Sequence, residues 1–198
     1  MAYQKIRKMD ISNGPGVRVS VFFQGCAFHC EGCFNPTTWD FDGGNSFGEE
    51  QIKEILELCK EDHISGLSIL GGEPLHPRNI KDSTLLAKMF KERYPEKTLW
   101  IWSGYTFEEY IHDKEILQYT DVIIDGRFEI SLRNPKLKWK GSSNQRVIDV
   151  PKTLEKNEVV LYEEDALCEK EVLKLPKDGK IETFTYPYEK PSFQQAMI

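Results

Sequence analysis

Residues 17–33 read Val-Arg-Val-Ser-Val-Phe-Phe-Gln-Gly-Cys-Ala-Phe-His-Cys-Glu-Gly-Cys. Val17, Val19, Val21 and Phe23 alternate along an extended chain, the two-residue period of a strand with one buried face. The strand runs through Gln24-Gly25 into Cys26, Cys30 and Cys33, spaced C-x₃-C-x₂-C. A strand that delivers a chemically loaded loop at its C-terminal end is how α/β folds place their sites.

Further along, the same rhythm repeats. Ser46, with Glu49 three residues later, predicts a capping box at the start of a helix. Ile52, Ile55, Leu56 and Cys59 then fall at i, i+3, i+4 and i+7 and make its apolar stripe. Leu67–Leu70 is a short buried strand stopped by Gly71-Gly72. A helix is expected from Leu85 to about Tyr94, ended by Pro95. Leu99–Trp102 reads as a strand stopped at Ser103-Gly104. Thr106 and Glu109 repeat the capping-box spacing and predict a third helix. Asp121–Asp125 and Gln145–Val150 supply two more strands. The expected fold is α/β: a partial, open β/α barrel of about five to six mostly parallel strands, too few for a closed eight-stranded barrel. This core spans residues 1–150. Residues 151–198 change character, with ten acids, seven lysines and no arginine, and are expected to form a C-terminal extension of unassigned role.

The 198 residues suffice for one substantial core. A net charge of −6 argues against a general nucleic-acid or anionic-membrane binder. The N-terminus has no apolar leader, and no run approaches the roughly 20 apolar residues of a membrane span, so a soluble cytoplasmic protein is expected. Five cysteines, three of them within residues 26–33, favour metal or redox chemistry over disulfides.

Three thiolates on one short loop can hold three irons of a [4Fe–4S] cubane and leave the fourth without a protein ligand. That iron can accept the amino and carboxylate groups of S-adenosylmethionine (SAM), and one electron can then break the S–C5′ bond. A structural zinc, held by the three cysteines with His29 or a remote histidine, is the competing interpretation, although no second C-x₂-C arm is present. Cys59 belongs to the helix stripe, and Cys168 stands alone.

Gly71-Gly72-Glu73-Pro74 follows the second strand, and together with the cysteine loop it resembles the radical SAM superfamily. Asn13-Gly14-Pro15-Gly16-Val17-Arg18 followed by Phe23-Gln24-Gly25-Cys26 resembles the glycyl-radical-enzyme activases. His29-Cys30-Glu31-Gly32-Cys33-Phe34-Asn35-Pro36 with Thr38-Trp39, then Trp100–Tyr105, Asp121–Gly126 and Gly141–Arg146, are similar to one branch. That branch activates anaerobic (class III) ribonucleoside-triphosphate reductase. The resemblance covers roughly residues 10–150. It departs from the wider superfamily at Gly32, where an aromatic residue commonly packs on adenine; Phe34 is the candidate substitute.

The resemblance implies cluster ligation by Cys26, Cys30 and Cys33, with the backbone of Gly32, Cys33 and Phe34 lining the SAM pocket. Gly71, Gly72 and Glu73 would bind the methionine end. Ser103, Gly104 and Asp125 either touch SAM or a cation, or merely end their strands. His29 sits between two ligands and is assigned a supporting role in preference to proton donation. Asn144 and Gln145 suit a rim contact with an extended peptide. Arg133, Lys136, Lys138 and Lys140 form the one basic run, either a solvated face or a dock for an acidic partner. The implied partners are the large reductase subunit, which donates a glycine Cα hydrogen, and a flavodoxin-like electron donor. Activation of another glycyl radical enzyme of the pyruvate formate-lyase type, a small-molecule radical SAM reaction and a zinc-stabilised binding module are the alternatives.

Overall fold

The computed structural model describes residues 1–162. The rest of the expected extension, with Cys168, lies outside the described residues. Seven strands form one open sheet: β1 (Ala2–Asp10), β2 (Val17–Phe23), β3 (Asn45–Ser46), β4 (Ile64–Gly71), β5 (Thr98–Trp102), β6 (Val122–Asp125) and β7 (Arg146–Asp149). Their spatial order is β3-β1-β2-β4-β5-β6-β7. The four central strands β2, β4, β5 and β6 run parallel. β1, β3 and β7 pair antiparallel at the flanks.

Register follows the alternation of the sequence. Val21, Ile69, Ile101, Ile123 and Ile148 lie in one row across five strands. That row faces α1 (Glu49–Cys59) and α2 (Ile80–Arg93), and all five side chains are buried in the main core. The adjacent row, through Ser20, Ser68, Trp100 and Val122, points to the other face. There Trp100, Val122, Ile124 and Val147 form a second apolar cluster with Trp102, Trp139 and Tyr162. At the foot of this face Arg18 is fully buried. Its guanidinium donates to Ser68 Oγ (2.7 Å), Thr98 Oγ1 (2.9 Å), Leu67 O (2.8 Å) and Thr98 O (2.7 Å). Arg18 therefore ties the feet of β2, β4 and β5 together.

Several expectations are corrected. Among the described residues the sheet has seven strands, not five to six, and an N-terminal strand was not anticipated. The α1 stripe Ile52, Ile55, Leu56 and Cys59 is buried as expected, but the helix begins at Glu49 behind Gly48. Gln51 Oε1, not Glu49, accepts from the capping N–H of Gly48 (2.9 Å), and Ser46 belongs to β3. Burying each aliphatic of the stripe contributes about 1.5–3 kcal/mol against about 1 kcal/mol for a cap, so the stripe fixes the helix and the cap follows. α2 starts at Ile80, five residues before the expected position. The third helix is a single π turn at Phe107–Ile111 followed by a 3₁₀ turn at Glu115–Tyr119. There the Thr106 hydroxyl donates to Glu109 (2.8 Å) and caps no backbone N–H, while Phe107 N donates to Asp125 (2.9 Å). Asp149 caps α3 (Val150–Lys156) through Lys152 N (3.0 Å), so the expected boundary at 150/151 falls inside a helix. The chain then returns to β7, with Asp149 N donating to Val160 O and Tyr162 N to Val147 O.

Candidate active site at the strand C-termini

The loops leaving β2, β4, β5 and β6 surround a cavity of about 760 Å³. Cys26, Cys30, Cys33, Gly71, Gly72 and Glu73 line it together. The cysteine loop is held from both ends. Gly25 N and Cys26 N donate to Thr38 O (2.8 Å) and Trp39 O (3.0 Å). The Gln24 amide reaches Thr37 O (2.9 Å) and Asp40 O (2.8 Å). Within the loop Cys33 N donates to Cys30 O (3.1 Å), and Asn35 N reaches Cys33 Sγ (3.4 Å).

The Gly-Gly-Glu-Pro loop is laid directly on the cysteine loop. Gly72 N donates to Phe23 O and Glu73 N to Gly25 O, both at 2.8 Å. A Cβ on Gly72 would stand 2.5 Å from Gly25 O, so only glycine permits this approach. Asn79, which sequence reasoning missed, locks the two loops. Its buried amide donates to Gln24 O (2.9 Å) and Glu73 O (3.0 Å). A lone Asn in a loop before a helix reads as a cap, and no spacing marks it as a cross-loop tie.

Glu73 is 2% exposed. Oε1 accepts from Leu75 N (3.0 Å) and Ser103 Oγ (2.8 Å), and Oε2 from Gly104 N (2.7 Å). Burial outweighs these bonds and pushes its carboxyl up to about 7. Glu73 thus braces the β5 loop, and Oε2 accepts a single bond, from Gly104 N. Burial likewise pushes the Cys26 thiol up to about 11, opposed by the backbone N–H groups of Phe28 and His29.

Phe28 fixes the middle of the cysteine loop. Its ring lies edge-on to Tyr105 (4.8 Å), below the Arg127 guanidinium (5.2 Å), and where a Cβ on Gly104 would collide at 2.6 Å. Arg127 also donates to Phe28 O (2.8 Å).

Gly32, Phe34, Ser103 and Gly104 line the cavity, Phe34 with 83% of its surface exposed. Asp125 is not among the lining residues. Its buried carboxylate accepts from Phe107 N and from Arg146, whose guanidinium also pairs with Glu108 (2.7 Å). That pairing holds Glu108 down at about 2. His29 adopts a left-handed φ of 46° and packs on Trp39 at 4.7 Å, outside the lining. Gln145 spends its amide on its own turn, accepting from Gly141 N (2.9 Å) and donating to Gly126 O (3.0 Å). Asn144 donates to Arg127 O (2.8 Å), and its buried Oδ1 has no hydrogen-bond partner among the described residues. Arg133 and Lys140 border the cavity, while Lys136 and Lys138 lie farther out.

The donor set fits an iron–sulfur cluster. Three thiols line one cavity, backbone N–H groups reach the Cys33 and Cys26 sulfurs, and such bonds tune cluster sulfurs. Among the described residues no group of three or more His, Cys, Asp or Glu converges on a single ion; a cubane takes each thiolate on a different iron.

Residues 12–148 match the family model for a 4Fe–4S single cluster domain. The chain is 44% identical over 147 residues to the anaerobic ribonucleoside-triphosphate reductase-activating protein of Enterobacteria phage T4, covering 74% of this chain and 93% of that protein. The proteins of the same name from Pasteurella multocida and Escherichia coli K12 are 42% and 36% identical over 150 residues, covering 95% and 97% of their lengths and 73% and 74% of this chain. With the cluster motif, the Gly-Gly-Glu loop and near-complete coverage of these relatives in agreement, this chain belongs to the family of anaerobic ribonucleoside-triphosphate reductase-activating proteins.

Proposed function

We propose that the chain activates an anaerobic ribonucleoside-triphosphate reductase, using a [4Fe–4S] cluster on Cys26, Cys30 and Cys33 and SAM bound beside it. When bound, the cluster supplies one electron to SAM, and the 5′-deoxyadenosyl radical so released takes a Cα hydrogen from one reductase glycine, leaving methionine and 5′-deoxyadenosine. The open sheet serves as the partial β/α barrel of a radical SAM core, whose unclosed side admits a protein loop. The carrying observation is that the three cysteines and Gly71–Glu73 line one cavity.

The chain's own residues bind and orient. Cys26, Cys30 and Cys33 supply thiolates. The backbone of Gly32, Cys33 and Phe34 lines the SAM pocket, with the exposed Phe34 ring available to the adenine. Gly71 and Gly72 let the methionine end approach, and Glu73 Oε2 accepts from its ammonium. Ser103 and Gly104 hold Glu73 in place, and Asp125 acts through Arg146 and the Phe107 turn instead of touching SAM. His29 supports the loop through Trp39. A small one-electron carrier of the flavodoxin type supplies the electron, in the cytoplasm. Among the described residues no helix is long and apolar enough to cross a membrane.

Anaerobic reconstitution with iron and sulfide tests this function. A 4Fe–4S stoichiometry, and a change in the reduced cluster's paramagnetic resonance on adding SAM, are expected. Retention of iron after all three cysteines are replaced by alanine would contradict the ligand assignment.

A further inference from the structure

Segment 127–142 borders the cavity and carries a combination of features that the chemistry above does not use. Ile130 and Leu132 are 41% and 40% exposed, and Ile130 lines the cavity together with the exposed Phe34. Next to this apolar rim come Arg133, Lys136, Lys138 and Lys140, in a chain whose net charge is −6. Among the described residues no carboxylate pairs with Arg133, Lys136 or Lys138. The loop that presents them is closed at its neck by an Arg133–Ser142 bridge, with Asn134 N donating to Gly141 O (3.2 Å). It is pinned in the middle by Trp139. That residue takes a left-handed φ of 60°, accepts from Trp102 Nε1 (2.6 Å) and packs edge-on against Trp100 (4.7 Å). A bulky residue in this backbone region is held there by its surroundings. The cations therefore sit on an anchored loop and not on a free one.

We propose that loop 133–142, with Ile130 and Leu132, is the docking platform for the glycine-bearing segment of the reductase, and that it recognises an acidic, partly apolar stretch of polypeptide beside that glycine. The assignment rests on the proposed function and adds the surface and the chemistry of the partner contact. A small anion would need the cations but not the apolar rim; a polypeptide uses both. An acidic chain repels an acidic partner everywhere except at a local cationic patch, so the patch orients the encounter as well as attracting it. Lys136 and Lys138 lie outside the cavity lining, so they can contact a partner without touching SAM.

The test uses anaerobic holoenzyme and intact reductase, with affinity measured by calorimetry and SAM cleavage measured separately without reductase. Lys136→Glu with Lys138→Glu is expected to weaken reductase affinity about tenfold at low salt. The deficit should shrink near 0.5 M salt, where screening acts within about 4 Å. The Lys→Gln pair should fall between, and Leu132→Ser should weaken affinity without salt dependence. SAM cleavage without reductase should be unchanged, which separates this surface from the function itself. Unchanged affinity of the double Glu variant at low salt would overturn the assignment. So would tighter binding, which would make the loop a seat for this chain's own acidic residues beyond 162. A matching loss of reductase-independent cleavage would place the loop in the SAM site and overturn it equally.

Discussion

Replacing Glu73 with Gln removes one buried charge and leaves nearly the same shape. The Glu73 carboxyl is pushed up to about 7 from an ordinary 4.5. Because the folded chain holds this proton more tightly than the unfolded chain, the contribution to stability is complete below about pH 4.5. It is lost as pH rises to about 7, and the shift corresponds to about 3 kcal/mol. The amide keeps an oxygen for Leu75 N and Ser103 Oγ but turns an NH₂ toward Gly104 N, now 2.7 Å from Oε2. That lost acceptor costs about 1–3 kcal/mol. At pH 8 the two effects nearly offset, and the variant should lie within about 2 kcal/mol of the parent. At pH 5 only the loss remains. Urea unfolding of the metal-free chain between pH 4.5 and 8 reads the difference. His76, whose pKa is lowered by burial, titrates in both proteins and cancels. Parallel profiles for parent and variant would refute the buried-charge argument.

Other perturbations separate scaffold from chemistry. Gly72→Ala forces a methyl against the Gly25 backbone and should cost about 1–3 kcal/mol while lowering iron retention, measured as iron per chain after desalting. Cys26→Ala should abolish cluster binding, whereas Cys59→Ser, in the α1 core, should lower thermal stability and leave iron content unchanged. Arg146→Ala leaves the buried Asp125 carboxylate without its cation and should cost about 3–5 kcal/mol, read as a lower urea midpoint. Arg18→Met removes a guanidinium bonded to Ser68, Leu67 and Thr98, and should lower the urea midpoint with no change in SAM affinity of the protein that remains folded.

The central strands and both glycine-ended loops were legible because apolar alternation and strand stops are local signals. β1 was not, since Gln4, Lys5, Arg7 and Lys8 break its alternation and its stability comes from pairing with β2. The third helix failed for the converse reason: Thr106 and Glu109 have the right spacing, but Asp125 takes the Phe107 N–H from across the fold. At the site, the C-x₃-C-x₂-C spacing pointed to a metal or cluster loop, whereas Gly71–Glu73 gained a role only from the resemblance to radical SAM proteins; the structure lines one cavity with both. Asp125 was expected at the rim but is committed to Arg146 behind it, whereas Gln145 does line the cavity with its amide bonded to Gly141 and Gly126. The Asp125–Arg146 pairing depends on a contact distant in sequence, as do the Asn79 tie and the Arg127 hold on Phe28.

The most direct test is an anaerobic reaction of reconstituted protein, dithionite and SAM, with and without the reductase. Chromatography follows 5′-deoxyadenosine, and paramagnetic resonance follows the partner. The account predicts 5′-deoxyadenosine together with a glycyl doublet on the reductase. A colourless, zinc-containing protein that forms neither would contradict it.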